Sequence, residues 1–182
     1  MTDESRVYLA FILLISLSAC NGRRAETRSA LERMLGSRIQ LPKEILCVYE
    51  GEESEASAEF RKKPKLLVYV DSVNCGECQI SKFYRFEEIR EVGIKTGDYD
   101  VVLLLSPKQQ EKESLIEKAK LFYLPYPVYI DVNNEFLSRN ETVPESSQYH
   151  TMYIGKDGRV KMVGDPTVGE KIKEVFDRVK GQ

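Results

Sequence analysis

An apolar run, Leu66-Leu67-Val68-Tyr69-Val70, leads into Asn74-Cys75-Gly76-Glu77-Cys78, and helical periodicity follows from near Gln79. This order constrains the fold more than any other stretch of the chain. A nearly continuous apolar run suits a central strand covered on both faces. Two thiols separated by two residues at a helix start can close a small disulfide, and the helix's unpaired N–H groups and positive end favour a thiolate on the first of them. The spacing points to reversible redox chemistry. It is also half of a structural zinc site, which needs a second pair of ligands; Cys47 and the single His150 are the candidates elsewhere.

The flanking segments repeat the alternation of strand and helix. Ile80, Phe83, Tyr84 and Ile89 recur at helical intervals, with Gly93 as the expected stop. Val101-Val102-Leu103-Leu104-Leu105 is a second buried strand, ended by Ser106-Pro107. Strand, helix, strand in this order implies parallel pairing. Lys108 to Lys120 reads as a helix with Leu115, Ile116 and Ala119 inward, and Pro125-Tyr126-Pro127 stops it before a third strand, Val128-Tyr129-Ile130. A short helix and a loop are expected between Asp131 and Ser147. Thr151-Met152-Tyr153-Ile154, the turn Lys156-Asp157-Gly158 and Arg159-Val160-Lys161-Met162-Val163 form a hairpin, and Ile172, Val175, Phe176 and Val179 share one helical face. Upstream, Ile45-Leu46-Cys47-Val48-Tyr49 is a short β-type run, followed by Gly51-Glu52-Glu53-Ser54-Glu55, expected as an acidic loop. Cys47 is most simply a small buried hydrophobe.

The first residues bear on compartment. Val7 to Leu17 is an apolar run of signal-peptide length, too short to span a bilayer as a helix of ~20 residues, and it ends in Leu17-Ser18-Ala19-Cys20. That ending resembles the bacterial lipobox, in which the cysteine is lipidated and becomes the mature N-terminus. The implied organisation is a signal peptide over 1–19, a lipidated N-terminus and Arg-rich tether ending in a short helix over 20–38, and one folded domain over 39–182. An exported domain lies in an oxidising space where disulfides persist unless they are reduced. The 27 Lys and Arg nearly balance 29 Asp and Glu, so no net field points to nucleic acid. Nothing in the sequence signals oligomerisation, and a monomer is expected.

Strand, Cys-X-X-Cys, helix, strand, helix, strand, hairpin, helix resembles the thioredoxin superfamily. Tyr126-Pro127-Val128-Tyr129-Ile130-Asp131, followed by Thr151-Met152-Tyr153-Ile154-Gly155-Lys156-Asp157-Gly158, is similar to its membrane-anchored TlpA-like branch. The resemblance runs from about Ile39 to the C-terminus. It implies an α/β fold, a thioredoxin-like three-layer α/β/α sandwich with a mixed central sheet. It further implies a thiol–disulfide oxidoreductase without a bound cofactor, with Cys75 as the exposed attacking thiol and Cys78 as the more buried resolving one. Its partners would be disulfides of exported proteins and an upstream membrane reductant.

Three departures modify that expectation. Glu77 stands where the family has Pro, and a carboxylate beside a forming thiolate disfavours it; less stabilisation of the reduced thiolate pushes the couple towards a reductant. Asn74 replaces the usual Trp. The family's cis-Pro corresponds to a position near Tyr149, and a non-Pro cis bond costs about 2.5–4 kcal/mol, so a trans bond is expected. Tyr149 and His150 would then wall the site. His150 could move protons or, with Cys75 and Cys78, complete a Cu(I) site resembling that of Sco-type copper chaperones. A thioredoxin-like binding scaffold with a structural disulfide is the third reading. Incorporation of a fatty-acid analogue tests the lipobox: it should be lost in Cys20→Ser, and unchanged labelling would reject the anchor.

Overall fold

The structure, a computed structural model, describes residues 24–122 and 124–181. The signal-peptide and lipidation assignments, Cys20 included, lie outside the described residues. A seven-stranded mixed sheet runs in the order β2-β1-β5-β4-β3-β6-β7. Its strands are β1 Ile45–Tyr49, β2 Glu52–Glu55, β3 Lys65–Val70, β4 Asp100–Leu105, β5 Val128–Asp131, β6 Thr151–Ile154 and β7 Val160–Val163. The helices are α1 over 24–34, α2 Ala58–Lys62, α3 Gly76–Lys82, α4 Glu87–Thr96, α5 Lys112–Leu121, α6 Phe136–Arg139 and α7 Glu170–Val179.

Strands β3, β4 and β5 pair in parallel, as the helical crossovers between them require, and β6 pairs antiparallel with β3. Alternation along β3 sends Leu66, Val68 and Val70 to one face, with Ile80, Phe83, Leu115 and Phe176 of the helices that cover it. Leu67 and Tyr69 go to the other, with Ala30, Met34, Phe60 and Phe136. Two apolar layers thus enclose one sheet, the three-layer α/β/α sandwich expected from the order of elements. The described part of the Arg-rich segment belongs to this body: Ala30 and Met34 are buried, and the amide of Gly36 donates to the carbonyl of Val160 at 2.8 Å.

Three local readings change. The acidic stretch is not a loop but the edge strand β2, paired antiparallel with β1 from Leu46↔Glu55 to Tyr49↔Glu52. All four of its residues are exposed, so no apolar alternation marked it, and its carboxylates discourage edge-to-edge association. The helical segment after the dithiol begins at Gly76 rather than near Gln79, and is broken by a 3-10 helix, Phe83–Phe86. Gly93 does not end it. Gly93 lies inside α4 because Tyr99 packs there, its carbonyl oxygen 2.6 Å from where a Cβ would sit, and the stop is Gly97 at φ 75°.

Lys65, at the start of β3, is 2% exposed. Its ammonium donates to the carbonyl of Lys63 and lies over the Phe60 ring, 5.2 Å from the centroid. Burial pushes its pKa from 10.5 down to about 8, with Lys63 acting the same way and Asp100 opposing. Because the folded value is depressed, the unfolded chain binds more protons between the two values, and stability rises with pH through that window. At 1.36 kcal/mol per pKa unit, unfolding in urea should cost about 2 kcal/mol more at about pH 9.5 than at about pH 7.5. Lys65→Met should remove that rise; parallel profiles would show that the lysine is not desolvated.

Candidate functional site

The site is built where β3 ends. Six consecutive buried residues fix the direction of that strand, and the chain must then turn back over the sheet edge to start α3. Asp71 makes the turn. Its Oδ1 accepts from the amides of Val73 at 3.0 Å and Asn74 at 3.1 Å, and from Asn74 Nδ2 at 2.6 Å. Such an Asx turn is the usual way for a short acidic side chain to replace backbone pairing in a tight loop.

Cys75 is the N-cap of α3, with an extended backbone at φ −68° and ψ 105°, and its sulfur accepts from the amide of Cys78 at 3.2 Å. Cys75 and Cys78 form a disulfide with their Cα atoms 5.3 Å apart, within the range such bonds need. Both residues are exposed. Cys75 lines a groove, and Cys78 follows it in the first turn of α3. Gly76 packs closely on α5: a Cβ there would lie 3.3 Å from both methyl carbons of Leu115, which would have to shift by a few tenths of an ångström. The groove, of about 570 Å³, opens beside Cys75, lined by Asp71 to Glu77 and by the loop and helix from Leu105 to Leu115. Ser106 at its floor donates to the buried carboxylate of Asp131 at 2.9 Å.

Glu77 is not a free charge. It forms an ion pair with Lys118 of α5, both side chains about half exposed, so part of its field is compensated at source. Nothing near Cys75 in the sequence announced Lys118, which is 41 residues from Glu77 and arrives only because α5 packs against α3.

Neither Tyr149 nor His150 lines the groove beside Cys75, but His150 lines a second, smaller pocket with Asn74 and Gln79, the residues on either side of the dithiol. Tyr149 is buried in the apolar layer on the face opposite α3. No peptide bond among the described residues is cis. His150 is 2% exposed; its Nε2 lies 2.9 Å from the carbonyl of Pro144, its ring meets Tyr69 edge-on at 4.9 Å, and its Nδ1 is 3.8 Å from Asp71 Oδ2. Burial pushes its pKa down, against the Pro144 carbonyl and Asp71. A carbonyl can only accept, so Nε2 carries the proton and the neutral ring leaves Nδ1 without a donor. Its one ring hydrogen bond is thus to Pro144, with Nδ1 buried and unpartnered beside Asp71, and the copper alternative gains no support: among the described residues, no group of three or more His, Cys, Asp or Glu could hold a metal ion. Cys47 is a half-buried free thiol on β1, separated from β3 by β5 and β4. Burial raises its pKa, against hydrogen bonds with Ser54 and Tyr129.

No protein-family model matches the sequence. A comparison with curated proteins likewise finds no match. Among solved structures, the chain is similar to an uncharacterized thioredoxin-like protein from Porphyromonas gingivalis, at 20% identity over 79% of this chain and 94% of that one, with a TM-score of 0.42. It is similar also to AhpC of Enterococcus faecalis, at 15% identity over 80% and 90%, with a TM-score of 0.46. A thioredoxin-like protein in its oxidized form is 17% identical over 81% and 99%, with a TM-score of 0.45. Likenesses of this order carry no argument about the dithiol, which rests on its own geometry.

The Glu77–Lys118 pair generates a prediction. Half-exposed ion pairs are worth about 0.2–1 kcal/mol, so Lys118→Ala should slow alkylation of the reduced protein at Cys75 by up to about fivefold at neutral pH, and Glu77→Gln should speed it. Equal rates in all three proteins would mean that neither charge reaches the thiolate.

Proposed function

We propose that the protein is a lipid-anchored thiol–disulfide oxidoreductase, facing the periplasm or the cell surface, that reduces or isomerises disulfides of exported proteins. The observation that carries the redox reading is the exposed Cys75–Cys78 disulfide capping the first turn of α3 at the edge of a groove. Structural disulfides are commonly buried in what they staple; this one closes a four-residue loop and joins no distant segments, so it adds little cross-linking. Support for the location comes from the apolar run and lipobox-like ending at Cys20. No helix among the described residues is long and apolar enough to cross a membrane.

In the reductive direction, the Cys75 thiolate attacks one sulfur of a substrate disulfide. That S–S bond breaks, the other substrate sulfur leaves as a thiolate and takes a proton, and a mixed disulfide remains on Cys75. Cys78 then loses its proton and attacks the Cys75 sulfur, closing the intramolecular disulfide and releasing the second substrate thiol. Two electrons have passed to the substrate. A membrane reductant outside the protein restores the dithiol, and no bound organic cofactor takes part. The proton on Cys78 has acceptors nearby in water, since that residue is exposed.

A carboxylate at Glu77, even one paired with Lys118, gives the thiolate less help than a proline-flanked site without it. The couple should therefore lie nearer the reductant thioredoxin, about −270 mV, than the strong periplasmic oxidant at about −120 mV. Insulin reduction by the full chain should be abolished by Cys75→Ser. Activity untouched by that change, or a measured potential near the oxidant's, would overturn the assignment.

A further inference from the structure

Asp71 is the one charged side chain that the loop preceding Cys75 is wrapped around. Three donors from Val73 and Asn74 converge on its Oδ1 at 2.6–3.1 Å, and its own carbonyl accepts from the Asn74 amide at 3.2 Å. Its Oδ2 is turned the other way, towards His150, whose ring is fixed by Pro144 and Tyr69. His150 in turn belongs to the backbone pairing that joins β3 to β6: its carbonyl accepts from the Tyr69 amide at 2.9 Å. A rigid wall thus lies behind the carboxylate and the active loop lies in front of it. The loop has few other anchors, because Val73 is 87% exposed and Cys75 is exposed.

We propose that Asp71 is the positioning residue for the attacking thiol: its Oδ1 fixes the loop so that the Cys75 sulfur is held within reach of Cys78. The inference rests on the redox reading of the dithiol and adds what determines its poise. Closure of the disulfide is an intramolecular reaction, and its equilibrium depends on how much of the ordering is done in advance. Asp71 touches neither sulfur. It acts through the backbone of Val73 and Asn74.

The test is the equilibrium of the full chain with glutathione. In it, one protein S–S bond is broken while one glutathione S–S bond forms, and the two protons from glutathione end on Cys75 and Cys78. With Asp71→Ala, the equilibrium constant for closing the protein disulfide should fall about tenfold, as three hydrogen bonds to the loop lose their acceptor. Asp71→Asn keeps a carbonyl oxygen in place of Oδ1 and removes the charge; it should stay within about twofold of the parent. Asn74→Ala removes only the side-chain bond at a half-buried position, keeps both amide bonds to Oδ1, and should lower the constant about two- to fivefold. It serves where Asp71→Ala does not fold, as judged by urea unfolding of the oxidised protein. Constants unchanged in Asp71→Ala and Asn74→Ala would overturn the proposal. So would an equal fall in Asp71→Asn and Asp71→Ala, which would make the effect one of charge and not of hydrogen bonding. Failure of the redox reading has a different signature: the parent chain itself would then not exchange with glutathione.

Discussion

Burial of β3 on both faces is the constraint from which the site follows. A strand with Leu66, Val68 and Val70 against one set of helices and Leu67 and Tyr69 against the other has no freedom to rotate or slip, since a one-residue shift would turn both apolar sets to the wrong layer. Its end point is therefore fixed in space. Beyond a four-residue connection Cys75 opens α3, which must pack Ile80 and, just beyond it, Phe83 onto the same sheet face as Val68 and Val70. The loop between is short and has to reverse direction. Asp71 accomplishes that with its side chain, and Gly76 lets the new helix close on Leu115. The disulfide sits at the one place where a rigid strand and a rigid helix leave two sulfurs exposed and adjacent.

What could be read in the sequence was whatever periodicity encodes. The five-residue runs at Leu66 and Val101 have few alternatives to buried strands, and Asp157-Gly158 between two β-type runs has few alternatives to a hairpin turn; the parallel core and the β6–β7 hairpin followed from them. Strand β2 was illegible because Glu-Glu-Ser-Glu carries no apolar face. It is a strand only because β1 offers it a free edge. Gly93 misled for a related reason: a glycine inside a helix resembles a stop until one knows that Tyr99 returns to pack on it. In both cases a contact outside the local pattern decides a local conformation.

The site divides along the same line. Cys75, Gly76 and Cys78 were legible because their spacing is itself the chemistry. Lys118 and Asp71 were not: Lys118 reaches Glu77 only through helix packing, and Asp71 has the same local pattern as any other acidic residue at a strand end. His150 stands between the two: alternation along β6 and the preceding 3-10 turn send Tyr149 into the layer opposite α3, and His150 lies behind Asp71, lining a small pocket with Asn74 and Gln79 rather than the groove beside Cys75.

That placement changes what electrostatics can do at the dithiol. A histidine facing the groove would have offered a titrating group in direct reach of the sulfurs. A neutral, buried imidazole behind Asp71 offers a fixed wall instead, and burial holds it neutral by lowering its pKa. Of the charges nearest the sulfurs, Glu77 is compensated by Lys118, and Asp71 commits its Oδ1 to amide donors that spread its charge over the loop. Neither carboxylate then opposes the Cys75 thiolate with its full field, while the Cys78 amide, already directed at the Cys75 sulfur in the disulfide, remains available to it after reduction. Electrostatics at the sulfurs are thus two opposed and partly cancelled effects, while the hydrogen bonds of Asp71 to the Val73 and Asn74 amides act on the loop through geometry rather than charge.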